Sequence, residues 1–358
     1  MKPNPDYTRV LKAIYRSGDP RYVPSLELVA DPEFIAAYLD EPVPMTWNQR
    51  AGHDLWKASV DQKIRFWYPL GYDTIWQGPA IDFPQVPMLV SADTAQYSRS
   101  TREWFNESKG CITSWAEYEA YPWSTSQEVD YFPVEYMAEV LPEGMGIFGQ
   151  LDGVYESLSW MMGYETLCLS LYDQPDLVAA ICERIAEVYI PLALSLAQMD
   201  RVIGLWMGDD LGFKTSTLVS PRHLRQYIFP IQRKIAEIAH QHGKPFLLHS
   251  CGNLAAIMEY LVDFVGIDAK QSFEDQIIPV EHFCMRYQDR LCTIGGIDID
   301  LLTRGSEEQV RKRTRQVLEA CAPSKAYMLG TGNTVTNYIP IPNFLAMLDE
   351  GHRFNRLG

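Results

Sequence analysis

The sequence predicts an α/β protein whose architecture is a single (β/α)8 barrel. Short runs rich in β-branched and aromatic residues alternate with longer segments of helical periodicity, which is the pattern of parallel βα units. Eight such runs are present, and this number favours a closed barrel over the open, doubly wound sheet that is the alternative. No Gly-x-Gly-x-x-Gly follows the first run, which weakens the dinucleotide-binding form of that open sheet.

The predicted strands are separated by helices long enough to cross back over a sheet. The longest runs from Pro175 to about Met199, and another ends at His242, where Gly243 is a typical helix stop. In chain order the predicted strands are Val43–Trp47, Tyr72–Gln77, Met145–Gln150, Val202–Met207, Pro245–His249, Gly266–Lys270, Leu291–Gly295 and Lys325–Leu329.

The composition is that of an ordinary globular protein. The chain has 358 residues, of which 47% are apolar and 22% charged, and this fits one barrel with insertions. The formal net charge of −15 argues against nucleic acid and anionic membranes as partners, because both need a basic face. No stretch approaches the roughly 18–20 apolar residues of a membrane span, and the N-terminus lacks the apolar core of a signal peptide. Seven cysteines without pair spacing indicate free thiols, so we expect a cytoplasmic protein.

Residues 84–125 depart from the alternation of strands and helices. Val86–Ser91 and the Thr/Ser/Arg-rich run after it predict a hairpin. We interpret the segment as an insertion over the barrel mouth; the alternative is that its aromatic residues pack only the insertion itself. No internal repeat or linker is found, so residues 1–358 are predicted to form one domain. The aromatic residues of the segment are Trp104, Phe105, Trp115, Tyr118 and Trp123.

His249 and Cys251 lie at the end of the fifth predicted strand, where a barrel places its chemistry. Residues i and i+2 at the fraying end of a strand can point the same way, so the imidazole and the thiolate can bind one ion. Nitrogen and sulfur ligands favour zinc over magnesium or calcium. The alternative is a buried histidine and cysteine that only pack in the barrel mouth. With Gly252 directly after it, the pair predicts a metal half-site.

Carboxylates follow the two neighbouring strands. Glu274 lies one βα unit after Cys251, and because adjacent strands are about 4.8 Å apart, its carboxylate is a candidate third ligand. Asp275 is its rival. Asp209 and Asp210 follow the preceding strand and could bind the metal, orient the metal-bound histidine or act as a catalytic base. The alternative for this pair is a turn or a helix N-cap.

Other side chains at strand ends and in the first loops are candidates for contacting a substrate. The tryptophans among them suit an aromatic or otherwise apolar group. The predicted substrate-binding residues are Trp47, Gln49, His53, Trp76, Gln77, Trp160, Met207, Thr331 and Asn333.

The second half of the chain, from about residue 206 to residue 351, resembles the uroporphyrinogen decarboxylase superfamily. The first half fits more loosely. The superfamily is a (β/α)8 barrel, in agreement with the strand count. The motifs that carry the resemblance are Gly208-Asp209-Asp210-Leu211, His249-Ser250-Cys251-Gly252-Asn253, Gly295-Gly296-Ile297-Asp298 and Gly330-Thr331-Gly332-Asn333.

Two branches of this superfamily differ in their motifs. The tetrapyrrole decarboxylases carry Arg-Gln-Ala-Gly-Arg after the first strand and Gly-His-Gly near the eighth, and they need no metal. Here His53 replaces the second arginine, Gln77 stands at the aspartate position after strand two, and Thr331 replaces the histidine. A substrate with many carboxylates needs positive charge at these points. The departures therefore argue against decarboxylation of that substrate.

The other branch contains corrinoid-linked methyltransferases, which hold zinc with His-x-Cys on strand five and Gly-Cys-Gly near strand eight. His249 and Cys251 match the first motif, whereas Thr331 replaces the last cysteine. In the distantly related cobalamin-independent methionine synthases, a glutamate ligand falls where Glu274 lies. The resemblance therefore implies zinc bound by this histidine, cysteine and glutamate, with an open position beside the threonine.

This resemblance implies a zinc-dependent methyltransferase that moves a methyl group between a small substrate and a corrinoid. The corrinoid, as methylcobalamin, is expected on a separate partner protein. Asp209 and Asp210 are the predicted catalytic carboxylates. A methoxylated aromatic or another methyl ether is the expected substrate, and a homodimer is left open. The alternatives are a metal-free decarboxylase or lyase, and a tetrapyrrole- or corrinoid-binding protein without activity.

Overall fold

The computed structural model of this protein describes residues 3–44, 52–81, 86–98, 100–106 and 108–357. Within these ranges the strands are β1 (Thr74–Gln77), β2 (Met88–Ala92), β3 (Thr101–Phe105), β4 (Gly146–Asp152), β5 (Val202–Gly208), β6 (Phe246–His249), β7 (Ala269–Gln271), β8 (Cys292–Ile294) and β9 (Tyr327–Met328). Seven of them form one curled, wholly parallel sheet in the order β1-β4-β5-β6-β7-β8-β9. The architecture is of the (β/α)8, or TIM-barrel, class, as the sequence predicts.

Helices connect the strands and cover the outside of the sheet, because parallel strands need long crossover connections. In chain order they are α1 (Thr8–Ile14), α2 (Pro32–Leu39), α3 (His53–Trp67), α4 (Trp115–Ala120), α5 (Phe132–Val140), α6 (Val154–Met162), α7 (Tyr164–Asp173), α8 (Pro175–Gln198), α9 (Pro221–His223), α10 (Phe229–Gln241), α11 (Met258–Tyr260), α12 (Val280–Tyr287), α13 (Ile299–Arg304), α14 (Glu307–Cys321) and α15 (Ile341–Leu357). α9 and α11 continue into π-helical stretches, Leu224–Ile228 and Leu261–Val265. Among the described residues, no helix combines the length and the hydropathy needed to cross a membrane.

The sheet closes towards the chain segment around Ser25. Ser25 forms a parallel bridge with Leu329, directly after β9, and the N–H of Leu26 donates to the carbonyl of Leu329 at 2.8 Å. This segment occupies the place predicted for Val43–Trp47. Residues 43 and 44 have no regular structure, and residues 45–47 lie outside the described ranges. The alternation of polar and apolar side chains from Ser25 to Leu28 is the sequence signal for this edge.

Both faces of the parallel sheet are buried. Alternate residues of neighbouring strands fill the barrel interior, where Phe148 and Trp206 pack edge to face with ring centroids 5.6 Å apart. The side chains that alternate with these along each strand, such as Met207, point to the other face of the sheet and pack in the larger core against the helices. Burial of apolar area on both faces is the main favourable term for such a sheet. The helical crossovers return the chain to the same end of the sheet before each strand, so the polar residues at the carboxyl ends of the strands are brought to one rim.

The insertion contains the predicted hairpin. β2 and β3 pair antiparallel. Phe105 of β3 stacks on Trp160 of α6 with ring centroids 4.1 Å apart, and Asn337, which follows β9, donates to Asp93 at 2.8 Å. These contacts attach the hairpin to α6 and to the loop after β9. Both lie beyond the carboxyl ends of the strands, at the mouth of the barrel.

Candidate metal centre

Three neighbouring strands end at the same rim of the sheet. Gly208 at the end of β5 is in register with His249 at the end of β6, and His249 is in register with Gln271 at the end of β7. The N–H of Asp209 donates to the carbonyl of His249 at 2.9 Å. Parallel pairing therefore places the residues that follow these strands beside one another.

Asp210, His249 and Cys251 bring their ligand atoms within 4.8 Å of one another. We call these three residues the metal group. Nε2 of His249 is 3.5 Å from Sγ of Cys251 and 3.5 Å from Oδ1 of Asp210. Ligands bound at about 2.0–2.3 Å around a tetrahedral ion lie about 3.4–3.6 Å apart. The two distances from Nε2 of His249 match this spacing, and the sulfur of Cys251 and the carboxylate of Asp210 lie within 4.8 Å of each other.

The imidazole of His249 is held by Gln271. Its Nδ1 hydrogen-bonds the side-chain oxygen of Gln271. Because that oxygen only accepts, Nδ1 carries the proton and Nε2 presents its lone pair to the cluster. The amide of Gln271 in turn donates to the carbonyl of Asn333. Burial lowers the pKa of His249, which favours the neutral ring that binds metals.

Cys251 receives two further contacts at its sulfur. Asn333 Nδ2 donates to Sγ at 3.2 Å, and Ser272 Oγ donates at 3.5 Å. Burial, and then the carboxylate of Asp210, raise the pKa of the Cys251 thiol well above its usual range. A bound cation displaces such a proton, because the thiolate is the form that binds metal. The two donors are placed to stabilise that thiolate.

Asp210 is joined directly to the residue that carries the thiol. Its Oδ1 accepts the backbone N–H of Cys251 at 2.8 Å. The loops after β5 and β6 also touch backbone to backbone, because a Cβ on Gly252 would lie 2.3 Å from the carbonyl carbon of Gly212. Gly252 has φ +80°, and glycine accepts both this conformation and the close approach. The Cys-Gly pair in the sequence therefore has a structural reason.

Asp209 turns away from the cluster and anchors the start of α6. Its carboxylate accepts the N–H groups of Tyr155 at 3.2 Å and Glu156 at 3.0 Å, and the amide of Gln232 at 2.8 Å. Burial raises the pKa of Asp209 to about 7. The structure therefore divides the predicted pair. Asp210 faces the cluster, and Asp209 satisfies N–H groups at a helix N-terminus.

Glu274, the predicted third ligand, is exposed and is not part of the group that the described residues form. Ser272 has φ +91° and turns the chain directly after β7. The rival carboxylate, Asp275, pairs with Arg313 at 3.0 Å. The structure brings Asp210, rather than Glu274, to the histidine and the cysteine, and a spacing of one βα unit could not reveal this turn.

Comparison with known proteins assigns these motifs to one family. The family model described as uroporphyrinogen decarboxylase (URO-D) matches residues 126–354. The chain belongs to the uroporphyrinogen decarboxylase family. The matched range holds β4 to β9 and all three members of the Asp210, His249 and Cys251 group. The resemblance identified in the sequence is confirmed.

Relatives of this family member carry two different names. A protein of Anaeromyxobacter dehalogenans named uroporphyrinogen decarboxylase is 23% identical over 233 residues, which is 62% of either chain. A protein of Methanosarcina mazei named methylated-thiol--coenzyme M methyltransferase is 29% identical over 133 residues, which is 37% of this chain and 33% of the relative. The matches thus span less than two thirds of either relative. A solved structure, a methyltransferase from Methanosarcina mazei, has a TM-score of 0.69 and 15% identity over 97% of this chain and 98% of that chain, which shows the shared fold.

His53 and Gln77, two polar residues that are predicted to contact the substrate, are bound to other side chains of this protein. His53 is exposed, lies 3.3 Å from a carboxylate oxygen of Asp130 and stacks on Phe132 with ring centroids 3.7 Å apart. Gln77 is buried, and its side-chain oxygen accepts from Nζ of Lys63 at 2.8 Å. Neither belongs to the metal group, and their contact with substrate stays a prediction.

The two described tryptophans of the predicted pocket differ in position. Trp76 packs against the barrel interior, and its Nε1 donates to the carbonyl of Trp206 at 3.3 Å. Trp160 is half-buried and stacks on Phe105 of the hairpin. Trp160 is therefore the better placed of the two to meet a molecule at the mouth.

Thr331 links the last strand of the sheet to the segment beside it instead of facing the metal group. It is fully buried, and its N–H and hydroxyl donate to the carboxylate of Glu27 at 2.8 Å and 2.7 Å. Burial raises the pKa of Glu27 to about 8. Glu27 lies on the segment that pairs beside β9, so the contact links the first and last positions of the sheet.

Of the remaining residues that are predicted to bind the substrate, one contacts the metal group, one is buried elsewhere and two are not described. Asn333 is brought to the group through its contact with Cys251. Met207 is fully buried against the helices. Trp47 and Gln49 fall outside the described residues, and their role stays a prediction.

Lys270, Gln271 and Ser272 at the end of β7 were not among the predicted site residues. Nevertheless Gln271 holds His249, and Ser272 contacts Cys251. Burial lowers the pKa of Lys270 to about 8. Three consecutive polar residues at the end of a buried strand are the sequence signal that could have identified them.

Proposed function

We propose that this protein is a zinc-dependent methyltransferase that transfers a methyl group between a small substrate and a corrinoid on a partner protein. The observation that carries the proposal is the group of Asp210, His249 and Cys251, in which Nε2 of His249 lies 3.5 Å from both the sulfur and a carboxylate oxygen. The relative named methylated-thiol--coenzyme M methyltransferase supports the reaction type.

The donor set fits zinc better than a hard cation. Zinc prefers thiolate and imidazole ligands, whereas magnesium and calcium prefer oxygen ligands. Three protein ligands leave one tetrahedral position for a substrate, as in catalytic zinc sites. When bound there, zinc supplies Lewis-acid polarisation of the substrate heteroatom.

The chain's own residues prepare this site before any ligand arrives. Gln271 keeps the proton of His249 on Nδ1, so Nε2 is free to bind. Asn333 directs its amide at the sulfur of Cys251 and accepts from Gln271 through its backbone carbonyl. One network therefore fixes both the nitrogen and the sulfur ligand, as outer-shell partners of metal sites do. In this proposal Asp210 is the third ligand.

A methyl ether, in particular a methoxylated aromatic, is the substrate class that we propose. Trp160 and Phe105 form a stacked pair at the mouth. Aromatic side chains bind other aromatic rings in offset-stacked or edge-to-face geometry. In the transfer, the bond between the methyl carbon and the ether oxygen would break and the methyl carbon would bond to the reduced corrinoid of the partner protein. The oxygen would keep the electron pair of the broken bond and take up a proton, and a metal bound to this oxygen would favour its departure.

A second candidate is metal-free decarboxylation, which the longer match to a relative named uroporphyrinogen decarboxylase favours. Lys63 is half-buried, and its Nζ bonds Gln77 at the end of β1. An ammonium in this position is a group that a carboxylated substrate needs. The two candidates differ in their requirement for a metal.

Methyl transfer to free cob(I)alamin tests the proposal. The purified protein is mixed with a panel of methoxylated phenols and benzoates, and methylcobalamin is followed by its absorbance. We expect transfer that stops when a chelator removes zinc and returns with added zinc. His249→Ala should abolish it, whereas His242→Ala, a substitution of an exposed histidine after α10, should not. Transfer that survives complete removal of the metal, or release of CO2 from a benzoate by the metal-free protein, would contradict the proposal.

A further inference from the structure

Lys270 is a buried cation at the end of β7, where the next two residues, Gln271 and Ser272, contact the metal group. It is 4% exposed. Its Nζ donates to the carbonyl of Ser272 and lies 3.5 Å from the carbonyl of Ser250. Ser250 directly precedes Cys251 in the chain, so the ammonium holds backbone on both sides of the sulfur ligand.

Ser272 has a backbone conformation that a side chain disfavours. Its φ of +91° lies in the region that glycine accepts and other residues rarely adopt. Such a conformation is energetically unfavourable and persists only where its surroundings hold it. The hydroxyl of this same residue donates to Sγ of Cys251 at 3.5 Å. The strained residue is thus held from one side by Lys270 and contacts the sulfur ligand on the other.

The charge of Lys270 is not matched by a direct ion pair. In the part of the chain that the structure describes, its close neighbours are the two carbonyls and the rings of Phe273 and Phe283, whose centroids lie 4.2 Å and 5.7 Å from Nζ. The carboxylates of Asp210 and Glu274, and the sulfur of Cys251 when it is a thiolate, favour its charged form. Burying an ammonium without a paired carboxylate is energetically costly. A lysine at this position therefore indicates a role in the adjacent metal group.

We propose that Lys270 is a positioning residue of the metal centre, which holds Ser272 in its strained conformation and thereby fixes the sulfur of Cys251 for metal binding. The inference rests on the proposed metal site. It assigns the function of the whole β7 end, since Gln271 holds the nitrogen ligand and its two neighbours hold the sulfur ligand.

Cobalt(II) binding to the metal-free protein tests this assignment. Cobalt serves as the probe because its visible bands report affinity and its thiolate charge-transfer band reports the bond to Cys251. Loss of an outer-shell partner typically weakens metal binding by about 10–100-fold, so we expect Lys270→Met to weaken cobalt binding at least about tenfold and to reduce the charge-transfer band. Lys244→Met is the matched control, because Nζ of Lys244 also donates to two backbone carbonyls, those of Ala197 and Met199.

A double-mutant cycle separates positioning from a general loss of stability. Glycine adopts the backbone conformation of Ser272 without strain, so in a Ser272→Gly background Lys270→Met should change cobalt affinity less than about twofold. Equal effects of Lys270→Met in both backgrounds, or an unchanged charge-transfer band, would overturn the inference. His249→Ala in the same assay tests the metal site itself. If His249→Ala binds cobalt as tightly as the unchanged protein, the proposed metal site is wrong. If His249→Ala loses cobalt but Lys270→Met binds it normally, the metal site stands and only the positioning role of Lys270 is wrong.

Discussion

Asp210 accepts a hydrogen bond from the backbone N–H of Cys251 at 2.8 Å. The same carboxylate oxygen lies 3.5 Å from Nε2 of His249. One atom therefore both closes the loop that carries the thiol and faces the imidazole. These two roles, loop support and metal ligation, can be separated by substitution.

The substitution Asp210→Asn retains an oxygen that can accept the Cys251 N–H but removes the negative charge. We expect zinc affinity to fall at least about tenfold with little change in stability, because a neutral amide is a poor replacement for a carboxylate ligand. Asp210→Ala should in addition cost about 1 kcal/mol of unfolding free energy through the lost hydrogen bond. Competition against a chromogenic chelator measures the affinity. Glu274→Gln, at the exposed carboxylate, is the matched control. A loss of affinity in Glu274→Gln with none in Asp210→Asn would reverse the assignment of the third ligand.

Gly252→Ala tests the contact between the loops after β5 and β6. A Cβ there would meet the carbonyl carbon of Gly212 at 2.3 Å, and the residue has φ +80°. Gly243 is the matched control, because it has φ +68° with nothing within 4 Å of its Cβ position. In urea unfolding we expect Gly243→Ala to cost about 1 kcal/mol and Gly252→Ala about 3 kcal/mol or more. Equal costs would show that the loops do not meet as described.

Glu27 predicts a dependence of stability on pH. Burial raises its pKa from 4.5 to about 8, so between these values the folded protein binds a proton that the unfolded chain has lost. Stability should therefore fall as pH rises through this window, by up to about 1.4 kcal/mol per pH unit. Glu27→Gln should remove this contribution, whereas Asp209 and Asp73, whose pKa values burial raises to about 7 and about 6, keep theirs, so the variant should show a shallower slope than the unchanged protein. Urea midpoints at several pH values measure it. A slope in Glu27→Gln as steep as in the unchanged protein would contradict the burial argument.

Trp160→Ala tests the proposed substrate class. An aromatic pair contributes about 0.5–1.5 kcal/mol beyond buried area, so KM for a methoxylated aromatic should rise about 2–10-fold, with a smaller change in kcat. Trp104→Ala, in the exposed part of the same hairpin, is the control and should leave KM within about twofold. An equal effect of both substitutions would place the substrate elsewhere.

Much of the barrel and two of the three members of the metal group could be predicted from the sequence. Seven predicted strands correspond to the parallel sheet because their apolar runs are buried on both faces. His249 and Cys251 were identifiable because a strand end fixes their common direction. The segment around Ser25 that pairs beside β9 was not predicted, since its short alternating run is a weaker signal than the apolar run before Asn48, and most of the predicted first strand lies outside the described residues.

The rest of the site depends on turns that spacing does not encode. Glu274 was expected at the metal because it lies one βα unit after Cys251, but the turn at Ser272 leaves it exposed. Asp209 and Asp210 are chemically identical neighbours, and only the packing of α6 decides which of them faces the cluster. The geometry around a strand end is set by such tertiary contacts and not by the local pattern.

The zinc content of the purified protein, measured together with X-ray absorption at the zinc edge, tests whether Asp210, His249 and Cys251 hold a zinc ion. We expect about one zinc per chain, with one sulfur at about 2.3 Å and nitrogen or oxygen ligands at about 2.0–2.2 Å. His249→Ala and Cys251→Ser should lose the metal, whereas His242→Ala and Cys168→Ser should keep it. Zinc without a sulfur ligand, or full zinc in Cys251→Ser, would contradict the proposed metal site.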